Sequence, residues 1–259
     1  MIVIGTTLAL PSFVNEFRLK SPSQISASAL ALQKANIVSV YQAGAFFGAL
    51  GAYVSSHYIG RRLSLIFWTT IFMIGAGIML GANGGRGLGL IIGGRVLAGL
   101  GVGGCSNMVP IYISELSPPA IRGRLVGIYE LGWQMGGLVG FWINYGIVET
   151  MPTSNNSWLI PFAVQLIPGG CLLIGAFWLK ESPRWLFANH KREKAMQNLC
   201  WIRNLPADHP YLLEEVEAIE RQVEHDRIHV GAGFWKPFLA LKQKKVAYRF
   251  FLGGMLFLW

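Results

Sequence analysis

The chain has 259 residues, of which 53% are hydrophobic and 14% charged, with a formal net charge of +9 at pH 7. Soluble globular domains carry roughly 25% charged residues, so this sequence lacks the polar surface of a water-soluble fold. Its basic excess does not point to nucleic acid: nine Lys/Arg and four acids are spread over residues 1–179, while thirteen Lys/Arg and nine acids crowd into 180–249, the pattern of a membrane protein with basic loops on one side.

A helix needs about 20 apolar residues to cross about 30 Å of hydrocarbon. Met1–Val14 is apolar but too short, and it lacks the basic flank and small-residue cleavage site of a signal peptide. It reads as the second half of a membrane helix. Ile37–Tyr58, Leu63–Ala82, Leu88–Ile113, Leu125–Val148 and Trp158–Leu179 each reach spanning length, and Val246–Trp259 begins another apolar run. Arg61 and Arg62 follow the second span, Arg122 and Arg124 the fourth, and the hydrophilic segment the sixth. All three fall on one side, which loop charge makes cytoplasmic; Arg18, Lys20 and Lys34 in the first outer loop run against the rule. The expected organisation is a transmembrane bundle over 1–179 with an incomplete first helix, a cytoplasmic helical domain over 180–245, and the start of a seventh span over 246–259. In the hydrophilic part Leu212, Leu213, Val216, Ile219 and Val223 recur at helical spacing among Glu214, Glu215, Glu217 and Glu220.

The stretch Gly99-Leu100-Gly101-Val102-Gly103-Gly104 satisfies G-x-G-x-x-G. A dinucleotide site would also need a preceding strand and an acid about 20 residues later, whereas these glycines sit inside a continuous apolar run. Gly99 and Gly103 instead make G-x-x-x-G, a spacing that lets helix backbones approach closely in lipid. Gly44/Gly48 and Gly132/Gly136/Gly140 repeat it. Arg95, in the same run, is an intramembrane charge; it should face protein or a wet cavity and find a carboxylate. Cys105, Cys171 and Cys200 have no metal or redox spacing and read as reduced packing residues. His225-Asp226-Arg227-Ile228-His229 mimics a zinc motif but reads as a solvated helix, so no metal and no cofactor is expected. Asn155-Asn156-Ser157 is a glycosylation sequon in an outer loop.

Arg95, Gly99, Gly103, Tyr112, Glu115 and Arg122-Gly123-Arg124 together resemble the sugar-porter signature of the major facilitator superfamily. Gly60-Arg61-Arg62 resembles that superfamily's basic turn after the second helix. Glu181-Ser182-Pro183-Arg184-Trp185-Leu186 resembles the sugar-porter motif after the sixth. The stretches Glu130–Gly146 and Cys200–Glu220 look most like the fungal quinate-permease branch. The resemblance covers essentially the whole chain and implies an all-α membrane protein: the six-helix N-terminal half of a major facilitator fold plus a cytoplasmic helical segment. It further implies that Arg61, Arg62, Glu115, Arg122, Glu181 and Arg184 form a cytoplasmic gating network of charge pairs. The acid usual three residues before the turn glycine is His57 here, which weakens that network or makes it pH-sensitive.

The fifth span offers a substrate face. At about 100° per residue, Glu130, Gln134, Gly137, Phe141 and Asn144 fall within about 40° of one line, with Trp133 beside it. A carboxylate, amides and aromatic rings suit a polyol. The candidate substrate-binding residues are therefore Glu130, Trp133, Gln134, Gly137 and Asn144, with a Glu130 pair to Arg122 or Arg124 as the bland alternative. By resemblance the porters hold a ligand-binding glutamine at the position of Glu130, so an acid there could also carry a proton; Arg95 and Glu130 are the candidates for proton coupling. In the porters an aspartate of the first span faces the arginine matching Arg95, and the chain starts just past where it should stand. The expectation is a piece of a secondary active transporter that moves a sugar, polyol or quinate by alternating access, with protons, through a lipid bilayer, the plasma membrane by family analogy. The alternative is a truncated half-transporter that acts by interaction or sensing. No catalytic constellation argues for an enzyme, and no nucleic-acid partner is expected.

Overall fold

A computed structural model describes residue 13, residues 27–82, 88–151 and 157–229, and residues 247, 248 and 251. Most of Met1–Val14 and of Val246–Trp259, and the sequon at Asn155, lie outside the described residues. In chain order the helices are α1 (Ala27–Tyr58), α2 (Arg61–Leu80), α3 (Leu88–Leu116), α4 (Arg122–Thr150), α5 (Leu159–Val164), α6 (Leu166–Trp178), α7 (Pro183–Ala188), α8 (Arg192–Arg203) and α9 (Pro210–His229), with no strand among the described residues. The chain divides into two compact units, Met1–Glu181 and Ser182–Trp259.

In the first unit α3 lies between α1 and α2, and glycine brings the three backbones together. A Cβ added at Gly44 would stand 2.6 Å from the Val96 carbonyl oxygen, and one at Gly103 would collide with that of Ala45. These are the α1–α3 seam expected from the G-x-x-x-G spacing. The other glycines of the G-x-G-x-x-G run face the opposite way: a Cβ at Gly101 would meet the Phe72 backbone of α2, and one at Gly104 the Trp68 ring. The run is a two-sided packing strip, because a step of two residues crosses the helix while steps of three and four return to the same face.

Among the described residues, four helical segments are long and apolar enough to cross a membrane: Ala35–Tyr58, Arg61–Leu80, Leu88–Leu116 and Leu159–Trp178. The last contains a local break at Gln165, between α5 and α6. Pro168 explains it, since a proline has no N–H to give the Val164 carbonyl. The expected span Leu125–Val148 is helical, within α4, but Gln134, Asn144 and its glycines hold it below the apolarity of the other four.

On α4 the glycine expectation needs correcting. A Cβ at Gly132 or Gly136 would meet nothing within 4 Å among the described residues. Gly140 is buried, together with Asn144 and Ile147. The reason is angular: a four-residue spacing drifts by about 40° per step, so by Gly140 the row has turned to the Asn144 side.

The second unit has its own core of Leu186, Phe187, Ala195, Leu199, Leu212 and Val216. Ser182 caps α7 by accepting the Trp185 N–H, with Pro183 at the first helical position. Arg203 donates from Nε to Glu215 Oε2 at 2.9 Å, and this bond holds the guanidinium above its ordinary pKa.

Candidate functional site

Four helix ends of the first unit meet around Arg61, Arg62, Glu115 and Glu181. Arg61 presents its Nε/Nη2 edge to Glu115, with Nε 2.9 Å from Oε2 and Nη2 2.8 Å from Oε1, while Nη1 donates to the Ser56 carbonyl of α1 at 3.0 Å. The pair is largely covered, with side chains 19% and 8% exposed, so the fork geometry is held away from competing water.

Glu181 and Arg62 exchange caps between helices. α2 starts after Gly60 (φ 92°), which has no side chain to cap the first N–H groups. The Glu181 carboxylate takes that place, accepting the backbone N–H of Arg61 at 2.8 Å and of Arg62 at 3.2 Å, and its charge suits the positive helix end. In return Arg62 donates from Nη2 to the Phe177 carbonyl at 2.6 Å and from Nε to that of Ala176 at 3.4 Å, in the last turn of α6. A Cβ at Gly60 would sit 2.6 Å from Glu181 Oε2. Backbone angle and close approach both require glycine there. Tyr112 adds a clasp, donating to the Lys180 carbonyl at 2.6 Å.

Two residues expected in this network are not drawn into it. Arg184 lies in the second unit, where Nη2 donates to Gln222 Oε1 at 3.1 Å. Arg122 has a buried Nε with no hydrogen-bond partner among the described residues. His57 is exposed and packs edge-on against Tyr58.

Arg95 occupies the other notable polar position. It is 0% exposed. Its Nη1 donates to the Ile37 carbonyl of α1 at 3.1 Å, and its Cζ stands 5.8 Å from the centre of the Phe162 ring. Trp158 packs edge-on against that ring, and Phe13 against Trp158. Nε and Nη2 have no hydrogen-bond partner among the described residues. A desolvated cation–π contact is worth about 2 kcal/mol, while burying an unpaired ion costs several kcal/mol. The ring and one carbonyl therefore leave the charge undercompensated, and the open Nε/Nη2 edge has the shape of a carboxylate site.

The expected substrate face of α4 is mostly uncovered in this unit. Glu130 and Gln134 are exposed, Trp133 is 58% exposed and Gly137 is half-buried. No ion pair joins Glu130 to Arg122 or Arg124 among the described residues. Asn144 departs from the expectation: it is 3% exposed and its Nδ2 donates to the Gly140 carbonyl of its own helix at 3.1 Å. The face thus divides into an open part from Glu130 to Gly137 and a packed part at Asn144. Sequence reasoning passed over Gln165, an amide inside an apolar span with a buried Nε2 that lacks a partner among the described residues. The signal was present, since a polar residue inside a membrane span is itself a functional flag.

Comparison with known proteins shows the family and the fold. Residues 1–259 match the family described as sugar (and other) transporter. The chain is 66% identical over 257 residues to a quinate permease of Neurospora terricola, covering 99% of this chain and 47% of that protein. It is 65% identical, with the same coverage, to a probable quinate permease of Aspergillus fumigatus. It therefore spans about half the length of the curated relatives it matches. Among solved structures, the proton:xylose symporter XylE bound to 6-bromo-6-deoxy-D-glucose aligns with a TM-score of 0.76 at 26% identity, covering 89% of this chain and 52% of that one. These relatives are permeases and symporters, not enzymes. With its family match over the full length and its bundle of apolar helices, the chain is a membrane protein that belongs to the sugar (and other) transporter family and has the all-α fold of the N-terminal half of a major facilitator.

Proposed function

We propose that this chain forms the first half of a secondary active transporter for quinate or a related polyol or sugar, working by alternating access. The observation that carries the reading is the 66% identity to a quinate permease across 99% of the chain. In this reading residues 1–179 are the transmembrane bundle, 180–245 a cytoplasmic helical domain, and 246–259 the start of a seventh span, in the plasma membrane with the Arg61 end in the cytoplasm. The substrate lies against α4, where Glu130 and Gln134 bind hydroxyls, Trp133 offers a flat apolar face, and Gly137 leaves room for the ligand. Asn144 acts from behind, holding the helix backbone. The cluster of Arg61, Arg62, Glu115 and Glu181 ties helix ends together and so closes the cytoplasmic side.

Arg95 couples transport to protons by receiving a carboxylate on its open edge. Protonation of that acid would discharge the pair and change how tightly the helices hold. Glu130 faces the same constraint from the substrate side: opposite an anion such as quinate it must be protonated or paired, since like charges repel strongly in a poorly solvated site.

The test is uptake of labelled quinate and of hexoses by a full-length transporter carrying this chain, in a host with no such uptake of its own. Accumulation should follow an imposed pH gradient at fixed membrane potential. Glu130→Ala should lower quinate uptake about tenfold, the worth of one good hydrogen bond. Uptake of neither substrate class would sink the reading.

A further inference from the structure

The sixth span carries one polar side chain within its apolar run, Gln165, three residues before Pro168. Its Nε2 is buried with no hydrogen-bond partner among the described residues. Helical backbone angles continue through it (φ −65°, ψ −19°). At about 100° per residue, Trp158, Phe162 and Gln165 therefore share one stripe. Phe162 is the ring beside the Arg95 guanidinium. Arg95 and Gln165 also stand at matching depth, each seven residues in from Leu88 and Trp158 at the start of their spans. Two elements that meet at Arg95 and Phe162 thus carry three unpartnered N–H groups at the same residue count into their spans: Nε and Nη2 of Arg95 and Nε2 of Gln165. All are donors, and none finds an acceptor among the described residues.

We infer that Gln165 is a positioning residue that donates a further hydrogen bond to the carboxylate received by the Nε/Nη2 edge of Arg95. This rests on the reading that Arg95 takes a carboxylate. An amide suits the task because it cannot titrate: it favours the ionised acid without adding a charge. The groups facing the site are Arg95 from α3, Gln165 from the sixth span and Tyr41 from α1, which lies within electrostatic reach of the guanidinium. The consequence is functional, since a donor to the charged form lowers the pH at which the acid takes up its proton.

The first experiment is a double-substitution cycle on the protein in lipid nanodiscs, read by thermal unfolding. With Arg95 in place, Gln165→Glu should raise the midpoint by about 4 °C at pH 8, and the gain should persist to about pH 5 and fade only below about pH 4, as the paired acid is protonated. Combined with Arg95→Met, the same substitution should lower the midpoint. Additive effects without pH dependence overturn the inference. Should Arg95→Met fail to fold, Gln165→Glu against Gln165→Leu decides alone, and a difference that is flat with pH overturns it. In uptake by the full-length transporter, Gln165→Leu should move the acidic limb of the pH profile up by about one unit; an unmoved limb also overturns it. Failure of the parent reading looks different, because Arg95→Ala would then leave uptake and its pH profile intact.

Discussion

Arg61 and Arg95 solve the same problem to different degrees. Each sends Nη1 to a carbonyl of α1, at 3.0 Å and 3.1 Å. Each turns its Nε/Nη2 edge towards the bundle. On Arg61 that edge is filled by Glu115; on Arg95 it has no partner among the described residues, although Arg95 is the more deeply buried of the two. The contrast separates two uses of a guanidinium. A filled fork is a tie between helix ends, whereas an open, buried fork leaves its charge undercompensated.

The sharpest way to break the comparison is Arg95→Ala in a full-length transporter carrying the chain. Uptake should fall by roughly a thousandfold, about 4 kcal/mol, as for loss of one partner of a buried charge pair. If a transport assay finds it unchanged, the open edge has no functional meaning. Next is Glu115→Ala, which leaves Arg61 with an unfilled fork like that of Arg95. It should destabilise the chain by about 3 kcal/mol in thermal or denaturant unfolding, and Glu115→Gln by less. Gly60→Ala should cost about 2 kcal/mol on the same measurement, from the strained φ and the encounter with Glu181. The smallest effect sharpens rather than breaks the contrast: Arg62→Lys keeps the charge near the end of α6 but loses the fork across two carbonyls, and about 1 kcal/mol of stability should go with it.

The bundle was legible before any coordinates because lipid imposes a simple rule. Only apolar runs of spanning length can cross, and backbones can approach only where side chains vanish. Thus Ile37–Tyr58, Leu63–Ala82 and Leu88–Ile113 fall within α1, α2 and α3 with small shifts at their ends, and Gly44, Gly48, Gly99 and Gly103 meet as their spacing requires. The pairing of Arg61 with Glu115 was readable only as membership in a motif. Its fork geometry, and the exchange of caps between Glu181 and Arg62, depend on residues about 115–120 positions apart arriving at one place.

The sequence by itself determined that this is a membrane protein of apolar helices with its charges gathered at the helix ends, because composition and period act locally. Tertiary structure alone decided which glycines pack, that Asn144 is buried and bonds its own helix, and that Arg95 and Gln165 are left with buried donors open among the described residues. Those facts depend on angle and depth between elements distant in the chain, and no local pattern encodes them.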